Sequence, residues 1–313
     1  MLEQKPRIRS KKAGIRLIIL GLAGFTTPLV SRLLSGMEGS LPWLVDLAAH
    51  WQGLYLLLLL IGVLIASIKD SRFIAFLLLT PIPWLTASEA APEGVSGTDT
   101  ITVASANVNF QNPDISSLMV WLTETNPDVV VLQEVTHQHA QQLQQLSDYP
   151  FHQVNPDNSP FGIAVLSKLP FLGVTVNWNW RGSSLKIPTL EVITQWSNQP
   201  IRIIAFHPMP PLSAEHHHSR NKKLAELVEE NPLPTIIAGD FNATPWSSAL
   251  TQLSYKRATG LNSTWPFQYL GIPVDQVLVS NHWAVQNSQT GPDIDSDHLP
   301  TLTRLEQAIT TPQ

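Results

Sequence analysis

The feature that most limits what this chain can fold into is the uneven spread of charge along it. The first 88 residues carry nine basic and four acidic residues, a net of +5, and the rest carry ten basic and twenty acidic ones, a net of −10. Three stretches of the first part are nearly free of charge: Leu17 to Ser31, Trp51 to Ile68 and Phe73 to Ala87. A spanning helix needs about 17–25 apolar residues. The first stretch reaches that length as a helix from about Gly14 to Leu34, with Arg32 snorkelling near its end. The second is an unbroken apolar run edged by Trp51. The third holds Pro81 and Pro83, which would kink it, and Trp84, which suits an interface.

Residues 1–88 therefore read as an anchor of about three transmembrane helices. A cleaved signal peptide followed by a buried hairpin is the competing reading, but a signal carries one apolar region of only about 7–15 residues. The basic residues from Lys5 to Arg16 and the Lys69-Asp70-Ser71-Arg72 turn place both at the cytoplasmic side. Three spans put everything after Ala87 on the extracytoplasmic side, whereas a re-entrant third segment would leave it inside. The absence of cysteine decides neither compartment.

Residues 89–100 read as a linker, with several breakers and no apolar periodicity. A single well-buried domain spans 101–305, and 306–313 form a tail. Within the domain, strands are expected at Ile101 to Ala106, Val129 to Leu132, Gly162 to Leu166, Leu172 to Val176, Leu190 to Gln195, Ile201 to Phe206, around Ile236, Val274 to Val279, Trp283 to Val285 and Leu299 to Leu302. Ile115, Leu118, Met119 and Leu122 share one face of a helix. Ala140, Leu143 and Leu146 mark a second, a third runs from about Ala214 to Glu230, and a short one follows Trp246. Alternating strands and helices imply sheets covered on their outer faces by helices.

The polar residues that stand out lie at the ends of apolar strands. Asn107 and Asn109 follow the first, Gln133-Glu134 the second, and His207 the Ile201 strand. Asp240 and Asn242 end the Ile236 strand, and Asp297-His298 open the last. Oxygen-rich side chains beside imidazoles, held on rigid elements, are parts for a metal-assisted attack on phosphorus: carboxylates hold a hard divalent cation and an imidazole moves a proton or stabilises charge.

Asn107, Gln133-Glu134, Gly239-Asp240-Phe241-Asn242, Asp275 and Ser296-Asp297-His298 stand in an order that resembles the endonuclease/exonuclease/phosphatase superfamily. The added Phe206-His207-Pro208-Met209-Pro210-Pro211 and Asn242-Ala243-Thr244-Pro245-Trp246 resemble its bacterial membrane-anchored branch. The resemblance covers Ile101 to Leu305. It implies an α/β (α+β) fold, the DNase I-like four-layer α/β/β/α sandwich, here preceded by an N-terminal transmembrane helical segment.

In that frame Glu134 is the principal ligand of Mg²⁺ or Mn²⁺, with Asn107 beside it and Asp297 helping to hold the metal or His298. The resemblance implies that Asp240 orients or activates the attacking water and that Asn242 donates to a phosphoryl oxygen. His298 contacts the phosphate or acts as base, Asp275 fixes its tautomer, and His207 protonates the leaving group or stabilises the pentavalent phosphorus. Bland readings stand beside these: Glu134 as a helix cap, Asp240 and Asn242 as an Asx turn, His207 as a strand cap. Arg220 could bind a phosphate oxygen bidentately, but reads better as a helix-surface charge. His216-His217-His218 reads as an exposed helix start, because adjacent residues on a helix cannot all reach one ion. Trp178, Trp180, Trp196 and Trp246 are core, or line a surface that meets substrate or membrane.

The family holds nucleases, phosphodiesterases and phosphatases, and shared chemistry does not choose among them. Duplex DNA draws its nonspecific affinity from Lys and Arg, and a domain of net −10 opposes that. The expectation is a membrane-anchored phosphoesterase acting on lipid head groups or small phosphodiesters. An extracytoplasmic nuclease is the alternative, and a silent membrane-tethered binding module is a second. No obligate protein partner is evident.

Overall fold

The computed structural model describes residues 4–95, 99–179, 186–229, 231–266 and 271–308. Trp180 lies outside them. The chain divides into two compact units, one of residues 1–88 with 246–252 and one of 89–245 with 253–313.

In the helical unit, α1 (Gln4–Leu34) and α3 (Gln52–Ser67) pair, with α2 (Ser40–Ala49) between them. A 3₁₀ helix, Ser71–Leu79, and α4 (Ile82–Thr86) follow. A Cβ on Gly62 would lie 2.8 Å from Gly14 O and Ile18 N, so α1 and α3 touch backbone to backbone, as small residues allow in membranes. Among the described residues one helix, Lys11–Leu34, is long and apolar enough to span alone, and α2 with α3, bent by 60°, make at most one more. By length and composition the described residues thus offer one or two spans where about three are expected. Sixteen residues of α3 reach only about 24 Å at ~1.5 Å per residue, and the third segment breaks at Pro81, which removes a backbone donor. Much of the unit's surface is nonetheless apolar: Leu33, Leu78 and Leu85 are 83%, 82% and 78% exposed.

The second unit holds two six-stranded sheets. One has the order β11-β12-β1-β2-β4-β3, from β1 (Thr100–Asn107), β2 (Val129–Gln133), β3 (Phe151–Asn155), β4 (Ile163–Ser167), β11 (Trp283–Thr290) and β12 (Thr301–Gln307). The other has the order β5-β6-β7-β8-β10-β9, from β5 (Phe171–Asn179), β6 (Lys186–Trp196), β7 (Gln199–Phe206), β8 (Thr235–Asp240), β9 (Lys256–Arg257) and β10 (Asp275–Val279). Successive strand residues face opposite sides. Ile101, Val103, Val129, Val131, Ile163 and Val165 thus meet Leu190, Val192, Ile203, Ile236, Ala238 and Val277 in the core between the sheets. Ala104, Val130, Leu132 and Ala164 face outward to Leu118, Trp121 and Leu122 of α5 (Ser116–Thr125) and Leu143 of α6 (His137–Leu143). Arg202 of β7 donates to Leu227 O of α7 (Ala214–Leu227), whereas α8 (Ser248–Thr251), the short helix after Trp246, belongs to the helical unit. These are the four layers that the motif order implies.

Two segments depart from expectation. Residues 89–95 are not a free linker: Ala91 N donates to Arg257 O of β9, Gly94 N to Val285 O of β11, and Val95 N to the Glu306 carboxylate. One short stretch thus occupies backbone groups on an edge strand of each sheet, where unpaired strands invite aggregation. The tail likewise starts later than expected, because β12 runs to Gln307 and buries Glu306.

Candidate active site

Both sheets bring their polar strand ends to one edge. β1 and β2 are parallel, as are β7 and β8, so Asn107, Glu134, His207 and Asp240 all sit at C-terminal ends. β10 and β12 run antiparallel to β8 and β1, with Asp275 opposite Asp240 and Thr301 opposite Ser105. The same edge therefore receives the start of β10 and, through His298, the approach to β12.

Asn107 Nδ2 donates to Glu134 Oε1 at 2.9 Å and to Asp240 Oδ2 at 3.3 Å, which turns two carboxylates from different sheets toward one point. Phe110 N donates to Glu134 Oε2 at 3.0 Å. Glu134 has φ of 62°, a left-handed conformation costly for a residue with a Cβ and typical of functional sites. The cap reading is not needed to explain it, since Thr136 caps α6 by accepting from His139 N while His139 accepts from Thr136 N.

Asp240 Oδ2 lies 3.5 Å from His207 Nε2 and 3.7 Å from His298 Nε2, and Asp240 Oδ1 accepts from Asn242 N at 2.8 Å. The other nitrogen of His298, Nδ1, lies 2.9 Å from Asp275 Oδ2. All four side chains are buried. Burial works against the charged form of His298, but Asp275 and Asp240 outweigh it and push the imidazole up to about 10. Burial likewise opposes charge on His207, and the nearby Asp240 and Glu134 raise it overall. Burial works to raise Asp240, and the two imidazoles prevail and lower it to about 2.

Asn242, at φ 47°, donates through Nδ2 to Pro208 O at 3.0 Å and faces Asp240 Oδ2 at 3.5 Å. Asp297 does not join the cluster: it is exposed, and its Oδ2 accepts from Trp265 Nε1 at 3.0 Å. Its position beside His298 leaves a lesser share in raising that imidazole.

Several supporting groups escaped the sequence reading. Thr264 Oγ1 accepts from Val274 N and Asp275 N, and Trp265 lies against the His298 ring at 6.2 Å between centroids. Only side-chain type in loops could have signalled them. Arg220 is corrected from surface charge to buried donor, with Nη1 2.6 Å from Asn242 O. His217 is buried too. Both face inward from α7, and nothing in their spacing revealed which face that would be. Trp196 is core, its ring tilted by 47° against Trp283 at 5.1 Å, and Trp246 is buried in the helical unit, donating to Pro83 O.

The donor set suits a hard divalent cation: Glu134 and Asp240 carboxylates with the Asn107 amide offer oxygen ligands at one place, few enough for an ion that keeps its waters. Asp240, Asp275 and His298 also present ligand atoms within 4.8 Å of one another, but there the Asp275–His298 ion pair already uses part of the donor capacity.

The profile of the Endonuclease/Exonuclease/phosphatase family matches residues 104–298. Among curated proteins nothing matches. Solved structures with this fold include humanized D. rerio TDP2 (16% identity, 66% of this chain and 99% of that one, TM-score 0.57). A functionally unknown conserved protein from Enterococcus faecalis V583 is also similar (18%, 66% and 100%, TM-score 0.57), as is the catalytic domain of human Nocturnin with bound sulfate (16%, 72% and 99%, TM-score 0.55).

Proposed function

Since this chain belongs to the endonuclease/exonuclease/phosphatase family, whose hydrolases act on phosphoester bonds, we propose that it is a membrane-anchored, metal-dependent phosphoesterase of extracytoplasmic phosphate esters. One observation carries the reading: a single amide, Asn107 Nδ2, bonds carboxylates from both sheets, with two buried imidazoles beside them. Glu134 and Asn107 would hold Mg²⁺ or Mn²⁺, which when bound neutralises charge developing on the phosphoryl oxygens. Asp240 stays ionised at neutral pH, orients the attacking water and accepts its proton as the bond to phosphorus forms. His298, protonated across that range and steadied by Asp275, donates to a phosphoryl oxygen. His207 protonates the leaving oxygen. Asn242 fixes the loop through Pro208 O, and its second amide hydrogen, now facing Asp240 Oδ2 at 3.5 Å, turns to the phosphoryl group when substrate binds.

The helical unit supports the membrane reading. Lys11 Nζ pairs with Asp70 Oδ2 at 3.3 Å, while Arg32 Nη2, twenty-one residues along α1, donates to Thr86 O. The segment from Asp70 to Thr86 therefore lies along α1 from Lys11 to Arg32. With the basic Lys11 end cytoplasmic, the chain leaves the unit at Ser88 on the other side.

Net charge argues for small or lipid-borne esters. A D. rerio TDP2 relative was solved with a single-strand DNA product, but the −10 of residues 89–313 disfavours a polyanion. The test is the full chain in detergent with Mg²⁺ or Mn²⁺ against bis-p-nitrophenyl phosphate, phospholipids, RNA and plasmid DNA. Hydrolysis of the small diesters or lipids that added salt does not weaken is expected; robust plasmid degradation would move the assignment to a nuclease, and no hydrolysis of any substrate to a binding module.

A further inference from the structure

Between Pro245 and Leu253 the chain leaves the catalytic unit: residues 246–252 belong to the helical unit. Their polar groups are matched there one by one. Asp46 of α2 is fully buried and accepts from Ser31 Oγ at 2.6 Å, Ser247 Oγ at 2.7 Å, Ser248 N at 2.7 Å and Ser248 Oγ at 3.0 Å. Trp246 Nε1 donates to Pro83 O at 2.7 Å, Gln252 Nε2 to Arg32 O at 2.9 Å, and Ser35 Oγ to Gln252 Oε1 at 2.7 Å. A carboxyl group buried among helices is costly unless hydrogen-bonded, and here two of the residues that satisfy it come from this distant segment. In a membrane-associated unit a buried acid marks function by default.

The segment starts four residues after Asn242. The turn that holds Asp240 and Asn242 is fastened on its other side by Arg220 Nη1 on Asn242 O and by Asn242 Nδ2 on Pro208 O. Asn242 holds a left-handed φ of 47°, which persists only when its surroundings over-determine it. We infer that Asp46 is a positioning residue for the hydrolysis, gripping Ser247 and Ser248 so that the Asp240–Asn242 turn keeps its catalytic geometry. The helical unit is then part of the enzyme and not only its anchor. This inference rests on the proposed roles of Asp240 and Asn242.

The test uses full-length protein in detergent, comparing wild type, Asp46→Ala, Asp46→Asn and the milder pair Ser247→Ala/Ser248→Ala. Two quantities are read: amide hydrogen exchange over residues 240–245, and kcat and KM for a small phosphodiester at saturating Mg²⁺. Misplacement of reacting groups by remote changes costs up to about a hundredfold, so Asp46→Ala is expected to lower kcat about ten- to a hundredfold with KM little changed and to speed exchange over 240–245. Asp46→Asn, which keeps one acceptor oxygen, recovers part of both. Because the sites act as one unit, the serine pair and Asp46→Ala are expected to be non-additive when combined. If Asp46→Ala does not fold, the serine pair carries the same expectation. Unchanged exchange over 240–245, or kcat within about twofold of wild type in a folded variant, overturns the inference; faster exchange in a protein whose wild type hydrolyses nothing upholds the fastening and refutes the proposed activity instead.

Discussion

Glu134 combines a strained backbone with a carboxylate held from two sides, by Asn107 Nδ2 and Phe110 N, and it is the proposed principal metal ligand. Glu134→Gln is expected to weaken metal affinity about 10–100-fold, read by calorimetric titration of Mn²⁺ into metal-free protein. His298 makes a second case through pH. Its imidazole is held at about 10 in the fold against about 6.5 in an unfolded chain, so folding binds its proton more tightly. That contribution is whole below pH ~6.5 and is lost as pH rises through about 10. The gap in thermal stability between metal-free wild type and His298→Gln is expected to narrow as pH is raised from about 7 to about 10; a widening gap contradicts the ion-pair account. The strand-end residues Asn107, Glu134, His207, Asp240 and His298 were legible because apolar runs point at them. Asp297 and Arg220 were not, because whether a side chain turns inward depends on which face of a loop or helix meets the sheet.

At the level of elements, the site exists because two parallel strand pairs, β1/β2 and β7/β8, end at the same edge. Gly239 makes the second pair fit: it has φ of 151°, and a Cβ there would lie 2.0 Å from Phe206 O. Gly239→Ala is therefore expected to destabilise by more than about 1 kcal/mol, measured as a lower denaturant midpoint, and to shift Asp240 with it. The buried strands were legible from their apolar runs. β3, Phe151–Asn155, is an edge strand with polar residues and partial exposure, and β9 has two residues, so neither carries a period that sequence can show. The pairing of residues 89–95 with two sheet edges was hidden for the same reason, since main-chain hydrogen bonds leave little trace in side-chain pattern.

For the whole molecule, the account makes the helical unit both anchor and support. The chain has no cysteine, so single cysteines report sidedness cleanly. Leu212→Cys, at a site 72% exposed, is expected to react with a membrane-impermeant maleimide on intact cells, whereas Lys69→Cys is protected until the membrane is opened; the reverse pattern would place the catalytic unit in the cytoplasm. The −10 charge of that unit was legible and bears on substrate, while the 3₁₀ form of Ser71–Leu79 was not, because nothing in its sequence distinguishes a 3₁₀ from an α rise. The most direct test of the central claim is the hydrolysis of a small phosphodiester by the full chain after chelation and metal return, beside Glu134→Gln and Asp240→Asn. Activity that vanishes with chelator, returns with Mg²⁺ or Mn²⁺ and falls at least about a hundredfold in both variants is the expected result; activity that survives the chelator or either substitution would contradict a metal-dependent site at this cluster.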